Sequence, residues 1–501
     1  MDNQTDKEIF KISEYIDDIK KDAYKDIAHI QNNVLNKNPY TSNFFENYLS
    51  KKNIKKKNFL FIIKQIFLYY VKNLGLFCSC ISCFIIFKLY GKKNGTNIKN
   101  NTYLVDIFFR ANKIIQSNKF EDKFFFPGVY DYFIKSNRDF IFIPRIIDTE
   151  KNPLKFFKLI KILKKDNKNK YLLDYELLNI SDFLKLFTFV LNYPFKQFKL
   201  IQNESTYLDI SFNYELFECL PNTSFEGYMR YLFGKKISLN SSRNLIIFSW
   251  QEFQNLEKCF NRAIHESQNN ILIYGCEFSI KYKNYLSMHI TNVDVDLKVS
   301  PHQTLLNGTH NYSISTKHLF KEGVSLRYKN IFRDFNYNCT DESFLALLSW
   351  DIEESNSLLH KVKAIEDLTV KLHPVTETKH FDLNKMAKWS YTDDDLYTLF
   401  EKTSIVLVPP MTGTALEAVA SGVSVLIVAT DNKFEVTPLV QYGQNKIWDV
   451  VYRQNELSEK INSLMDFRKK NMSEIVIISE WYRDNFFIEP NEENIKKAFD
   501  L

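Results

Sequence analysis

Cysteine chemistry is the first thing the sequence lacks. Its seven cysteines do not supply two pairs at metal-ligand spacing. Cys78, Cys80 and Cys83 crowd one apolar stretch with no histidine or second cysteine pair nearby, which argues against a zinc site. Cys219, Cys259, Cys276 and Cys339 stand alone, the usage expected of a reducing, cytoplasmic compartment. A secretory signal is also missing: residues 1–40 are charged and helix-like, without an apolar core or a cleavage site. The net charge of +6 is mild and dispersed, and no basic stripe is interleaved with stacking aromatics, so the expectation is no nucleic acid partner. The most apolar run, Leu74 to Phe87, is too short to cross a hydrocarbon layer of roughly 30 Å, and Lys64, Lys72 and Lys88 interrupt its surroundings. No internal repeat stands out. Asp294-Val295-Asp296 has the spacing of a metal-binding carboxylate pair, but it reads as a strand-like alternation with both carboxylates on a solvent face. The expectation is that no metal is required.

What the sequence does contain points to an α/β protein. A chain of 501 residues, 45% hydrophobic and 25% charged, is ordinary globular material and too long for one core. Three parts are expected: an N-terminal helical region over 1–100, an acceptor-side Rossmann-like domain over 101–335, and a second Rossmann-like domain over 336–501. The first part opens with a helix carrying Ile9, Ile12, Ile16 and Ile19 on one face. It continues through a basic cluster, Lys51, Lys52, Lys55, Lys56 and Lys57, into the apolar, aromatic segment Phe59–Tyr90, closed by Lys92 and Lys93. A cationic collar around an apolar patch suits an anionic membrane surface; a core helix with a solvated flank is the alternative.

In the second part, Phe140–Ile143, Asn244–Ser249 and Asn270–Tyr274 are short apolar runs suited to buried parallel strands, the last two joined by a helix over Glu252–Glu266. In the third, strands are expected at Phe344–Trp350, Leu368–Leu372, Ser404–Val408 and Val423–Val428. Helices are expected at Ile352–Val362, Asp394–Lys402, Thr414–Ala420 and Glu456–Met465. Such alternation implies a doubly wound sheet. Arg333–Asp341 is the expected linker.

Open parallel sheets bind ligands beyond the carboxyl ends of their strands, and two such ends carry chemistry. Lys371-Leu372-His373-Pro374 follows one strand, where a histidine can donate to a phosphate oxygen. Pro409-Pro410-Met411-Thr412-Gly413 follows another and leads into a helix at Thr414. There free N–H groups and two threonine hydroxyls suit an anion, Gly413 admits close backbone approach, and Glu417, one turn in, can reach ribose hydroxyls. Taken alone, Thr412 and Glu417 could simply cap a helix; capping does not explain two such motifs on successive strand ends.

The run Leu368–Val428 resembles the C-terminal half of GT-B-fold glycosyltransferases that build bacterial surface polysaccharides such as capsule and lipopolysaccharide. Its His-Pro and paired-hydroxyl arrangement is similar to that of CMP-sugar enzymes, and also to CDP-glycerol glycerophosphotransferases. Pro-Pro-Met before Thr412, in place of a run of serines, departs from both. Ser249-Trp250-Gln251-Glu252-Phe253-Gln254 with Lys258-Cys259-Phe260-Asn261-Arg262 resembles a segment of surface carbohydrate transferases. So do Ser300-Pro301-His302-Gln303 and Gly308-Thr309-His310, near the domain junction of such proteins.

The resemblance implies two Rossmann-like domains facing across a cleft. It implies a nucleotide-sugar donor held by His373, Thr412, Gly413, Thr414 and Glu417, without metal or other cofactor. The acceptor would be a glycan or a lipid-linked saccharide, with His302 and His310 as acceptor-site or junction residues. A base in the first domain would deprotonate the acceptor hydroxyl. Glu252, at a strand's carboxyl end, is the first choice and Glu226 the second. A degenerate scaffold of the same fold, active only in assembly, is the rival outside enzymology.

Overall fold

The computed structural model describes residues 3–501 except 39–40, 51–58, 94–97, 99–101, 150–151, 241–243, 268, 284, 311–314, 335–341, 375, 382–388 and 431–436. The lysine cluster at 51–57, Cys339 and most of the expected linker lie outside the described residues.

Fourteen strands are described: β1 Thr102–Asp106, β2 Phe108–Arg110, β3 Asp139–Phe142, β4 Arg145–Ile147, β5 Leu245–Trp250, β6 Ile271–Glu277, β7 Gln303–Leu306, β8 Leu319–Glu322, β9 Phe344–Leu347, β10 Leu368–Lys371, β11 Ser390–Tyr391, β12 Ile405–Val408, β13 Ser424–Val428 and β14 Trp448–Val451. They build two six-stranded parallel sheets, ordered β3-β1-β5-β6-β7-β8 and β11-β10-β9-β12-β13-β14, and a small β2-β4 pair. Relabelled in chain order, the second sheet runs 3-2-1-4-5-6, the order of a dinucleotide-binding fold. Every residue of β12 and β13 is buried, as expected for strands covered by helices on both faces. The helix between them, Thr414–Ala420, ends where Gly422 takes a left-handed φ of +78° and Val423 N–H reaches back to the Ala418 carbonyl at 2.9 Å.

The expected strands and helices of the second half are all present, most trimmed by one or two residues at their ends. Both ends of the chain depart from the expected division. The Asn3–Ala23 helix is embedded rather than appended: Ile12 and Ile16 belong to the first domain's core. Lys20 there is 2% exposed and contacts Asp294 at 3.2 Å and Asp17 at 3.1 Å. The last helix, Glu492–Phe499, lies within the segment expected to be second-domain, yet it packs in the first domain. Its Phe499 ring meets those of Phe248 at 4.9 Å and Phe133 at 5.7 Å.

Two further expectations are corrected. Asn292–Asp296 is a helical turn, not a strand. Asp294 faces inward, accepting from Thr291 and pairing with Lys20, while Asp296 pairs outside with Lys317. The 291–294 capping box overrides the apparent alternation. The apolar segment, for its part, is one unbroken helix, Phe59–Tyr90, of 32 residues. It is long and apolar enough by length and composition to cross a membrane, so the shorter run counted from sequence understates it.

Candidate functional site

The two sheets meet at their carboxyl edges. In the second sheet the chain reverses its direction of winding between β9 and β12, and the crevice outside these strand ends is where such sheets bind ligands. After β9 comes Ser349, whose hydroxyl donates to Glu354 at 3.0 Å; Asp351 caps the Ile352–Lys361 helix by accepting from the Glu353 and Glu354 N–H groups. After β12 comes the 409–413 loop. The hydroxyls of Thr412 and Thr414 stand 2.7 Å apart, forming one polar lip. One turn on, Glu417 accepts from Tyr397 Oη at 2.6 Å. Burial raises the Glu417 pKa above the usual carboxylate range, against the lowering effects of Tyr397 and of Arg327.

Next to these, after β10, His373 is half-buried, and its carbonyl accepts from both the N–H and the hydroxyl of Thr376. Burial lowers its pKa and Arg110 lowers it further.

The first domain supplies the facing wall. A β-carbon at Gly413 would stand 3.1 Å from Ile280 Cδ1 and 3.5 Å from Tyr282 Oη. The glycine suits the close approach of the segment that follows β6, where a side chain would press on Ile280. Tyr282 and Tyr285 on that segment have rings 6.3 Å apart. Burial raises both hydroxyl pKa values; among the smaller causes are Glu417 and Glu354 for Tyr282, and Glu252 for Tyr285. The pair thus lies between the second-domain loops and the first-domain carboxylate. Arg327 stacks its guanidinium on Phe124, 3.6 Å from the ring centroid, with Trp250 at 5.7 Å, and forms no ion pair among the described residues.

Glu252 follows β5 directly. One oxygen accepts from Trp250 Nε1 at 3.1 Å and the other from Gln254 Nε2 at 2.9 Å. Beneath it lies a buried charge network. Arg145 contacts Asp106 at 3.2 Å, Glu257, and the Trp250 carbonyl at 2.6 Å, while Arg230 reaches Asp106 at 2.9 Å. The network immobilises the strand end that presents Glu252. Glu226 begins the Glu226–Asn240 helix and lines a cavity of about 140 Å³ with Asn33, Asn36, Asn222 and Gln254. Gln254 therefore links the two candidate bases.

His310 sits past the carboxyl end of β7, its N–H donating to the Asn485 carbonyl at 2.8 Å and its ring 4.5 Å from Phe486. It is a contact between the first domain and the Met472–Phe486 helix. His302 is at the opposite, amino end of β7, stacked on His265 at 4.0 Å. The structure does not bring it to the cleft.

His373, Thr412, Gly413, Thr414 and Glu417 thus share one edge, and Glu252 faces it. Sequence reasoning missed Arg327, Arg110, Tyr397 and Ser349. Ser349 lies inside the run read as a strand, Phe344–Trp350, and the observed β9 ends before it at Leu347; the others carry no local motif.

No family description and no curated protein sequence matches this chain. Among solved structures it is similar to MurG of Acinetobacter baumannii, at 8% identity over 80% of this chain and 100% of that one, with a TM-score of 0.40. It is also similar to a variant of the wall teichoic acid polymerase TagF, at 9% identity over 87% and 96%, TM-score 0.38. A UDP-N-acetylglucosamine 2-epimerase matches at 9% over 80% and 95%, TM-score 0.39. The fold of this chain rests on its own strand order: two Rossmann-like α/β domains facing across a cleft, the GT-B arrangement.

Proposed function

We propose that the chain is a metal-independent glycosyltransferase that moves a sugar from a nucleotide-activated donor to a surface glycan or a lipid-linked acceptor. The observation that carries this reading is the alignment of His373 and the 412–417 constellation on the carboxyl edge of a 3-2-1-4-5-6 sheet, opposite Glu252 on the other domain's edge. In this reading the donor phosphate lies against the Thr412–Thr414 lip and His373, with Glu417 on the ribose. Glu252, or Glu226 in its place, takes the proton of the acceptor hydroxyl. The acceptor oxygen bonds to the anomeric carbon as the bond to the nucleotide phosphate breaks, and preorganised donors stabilise the leaving charge. CMP-sugars are the first donors to test. His310 then belongs to the domain junction. The protein would work in the cytoplasm, at the inner face of the membrane when its acceptor is lipid-linked.

Thermal-shift screening against CMP, CDP, UDP and GDP is the direct experiment. A nucleotide at about a hundred times its dissociation constant adds about 2.7 kcal/mol of stability. A CDP preference with CDP-glycerol turnover would move the reading to phospho-polyol transfer, which needs the same phosphate grip. No shift with any of the four would leave a non-catalytic scaffold.

A further inference from the structure

The Phe59–Tyr90 helix is apolar on its outer face as well as its inner one. Its buried stripe includes Gln65, Tyr69 and Asn73 as well as Phe77, Cys80 and Phe87. The Asn73 amide donates to the Thr223 and Tyr69 carbonyls. Its outer stripe carries Phe59 at 74% exposure, Leu60 at 72%, Phe67, Val71 and Leu89. A helix of a soluble surface turns polar side chains outward.

The neighbouring helix, Ile180–Gln197, repeats the pattern. Ile180, Leu184, Leu191 and Phe195 are exposed at helical spacing. The two helices are in contact: half-exposed Phe187 meets Phe77 at 5.4 Å, and Tyr70 Oη donates to the Leu191 carbonyl at 2.6 Å. Of the 31 large apolar side chains exposed among the described residues, 16 lie on these two helices and the turn that follows the second. A patch this concentrated marks an interaction surface.

A third helix, Pro153–Lys165, forms the rim, its Phe157 ring 5.0 Å from that of Tyr90. The three helices contain ten lysines and one acidic residue, Asp182, which is buried and contacts Lys236 at 3.2 Å.

We infer that these helices form one plate that lies in the plane of an anionic lipid bilayer, apolar side chains in the acyl boundary and lysines at the headgroups. The inference deepens the acceptor part of the proposed function by naming the surface on which a lipid-linked acceptor would be met. Charge decides the occupant: a second copy would set lysine rim against lysine rim, whereas anionic headgroups complement it. The helix lies flat rather than crossing, because it is tied to the domain along its length. Asn73 holds Thr223, Cys80 packs on Tyr175 and Met229, and Lys88 donates to the Glu176 carbonyl at 3.1 Å. The Ile180–Gln197 stripe is invisible to a reading that takes only the 51–57 lysines and the long apolar run as the docking element.

Flotation of the full chain with phosphatidylglycerol-containing vesicles, against phosphatidylcholine alone, tests this without any nucleotide. Wild type is expected to float with the anionic vesicles and to be released by alkaline carbonate. The pairs Phe67→Glu with Val71→Glu, and Leu184→Glu with Leu191→Glu, should each lower vesicle binding at least about tenfold. Their melting temperatures should be unchanged, since these side chains are exposed. If the Leu184/Leu191 pair floats like wild type, the plate is overturned and the long helix acts alone. Retention after carbonate would mean a spanning helix, and dimers that the glutamates dissociate, without vesicle binding, would mean a second copy; either overturns the inference. A protein that shifts with nucleotide but ignores vesicles retains the proposed function and loses only the plate. The converse result separates the two in the other direction.

Discussion

Tyr397 Oη donates a 2.6 Å hydrogen bond to Glu417 Oε2 across 20 residues of sequence. The bond holds one oxygen of the carboxylate within the second domain; in the proposed function the other oxygen meets the ribose. Hydrogen bonds to a charged group contribute about 1.5–3 kcal/mol, so Glu417→Gln should weaken nucleotide affinity by about 10–100-fold. Tyr397→Phe should weaken it less while leaving the fold intact. Isothermal titration with the best nucleotide of the thermal-shift screen measures both; equal affinity in Glu417→Gln would remove this residue from the ribose.

Turnover should depend on Glu252. Glu252→Gln keeps the side chain's shape and one accepting oxygen for Trp250 Nε1 or Gln254 Nε2 but cannot take a proton, and is expected to lower kcat by about 10²–10⁴-fold with nucleotide affinity unchanged. Full activity in that variant, with loss in Glu226→Gln, would transfer the role across Gln254 to the 140 Å³ cavity.

Nucleotide binding should persist in EDTA. The phosphate contacts proposed for Thr412, Thr414 and His373 are hydroxyl and imidazole donors that need no bridging cation. Titration before and after chelation checks this, and binding abolished by EDTA and restored by magnesium would reject it.

Stability should collapse when Lys20 is lost. Its ammonium is enclosed with Asp17 and Asp294, and these carboxylates hold its pKa up against burial. Lys20→Met leaves the buried Asp294 carboxylate without its ion-pair partner, while Asp17 keeps Lys37 at 2.9 Å; breaking such a buried pair costs about 3–5 kcal/mol. Adding Asp294→Asn should recover part of the loss, and the double-mutant cycle in chemical denaturation reads the coupling.

Mild acid should destabilise the first domain through its histidine cluster. Burial, helped by His265 and His318 beside His302 and by Lys281 and His265 beside His318, pushes both imidazoles down to about 4. In the unfolded chain these groups titrate near about 6.5. Between those values the unfolded state binds more protons, so stability is full above about pH 6.5 and is lost as pH falls toward about 4. The melting temperature is expected to drop between about pH 7 and 5, and His302→Phe, which keeps a ring against His265, should flatten that drop. An unchanged slope would place the acid sensitivity elsewhere.

Local pattern carries the second sheet well. β12 and β13 are uninterrupted apolar runs bounded by Pro409-Pro410 and Gly422, and the turn chemistry between them is legible because each signal acts within four residues. The strand–helix alternation and the strand ends bearing His373 and Thr412–Glu417 follow from such signals; the strand order does not. Asp294 shows where they fail. Its alternation with Val293 and Val295 reads as a strand, but Thr291 starts a helical turn, and the decisive partner, Lys20, is 274 residues away.

The sequence by itself determined two parallel α/β domains and which loops end at a strand's carboxyl edge, because periodicity and turn residues are short-range properties. The tertiary structure alone decided what faces those loops: Arg327 and Ile280 against the 412–417 constellation, Arg110 toward His373, Phe499 returned to the first core. It also decided which stripe of the Phe59–Tyr90 helix is buried. Composition marks that helix as apolar all round, and only its packing against Thr223 and Tyr175 turns the stripe with Gln65 and Asn73 inward and leaves Phe59, Leu60, Phe67 and Val71 outside.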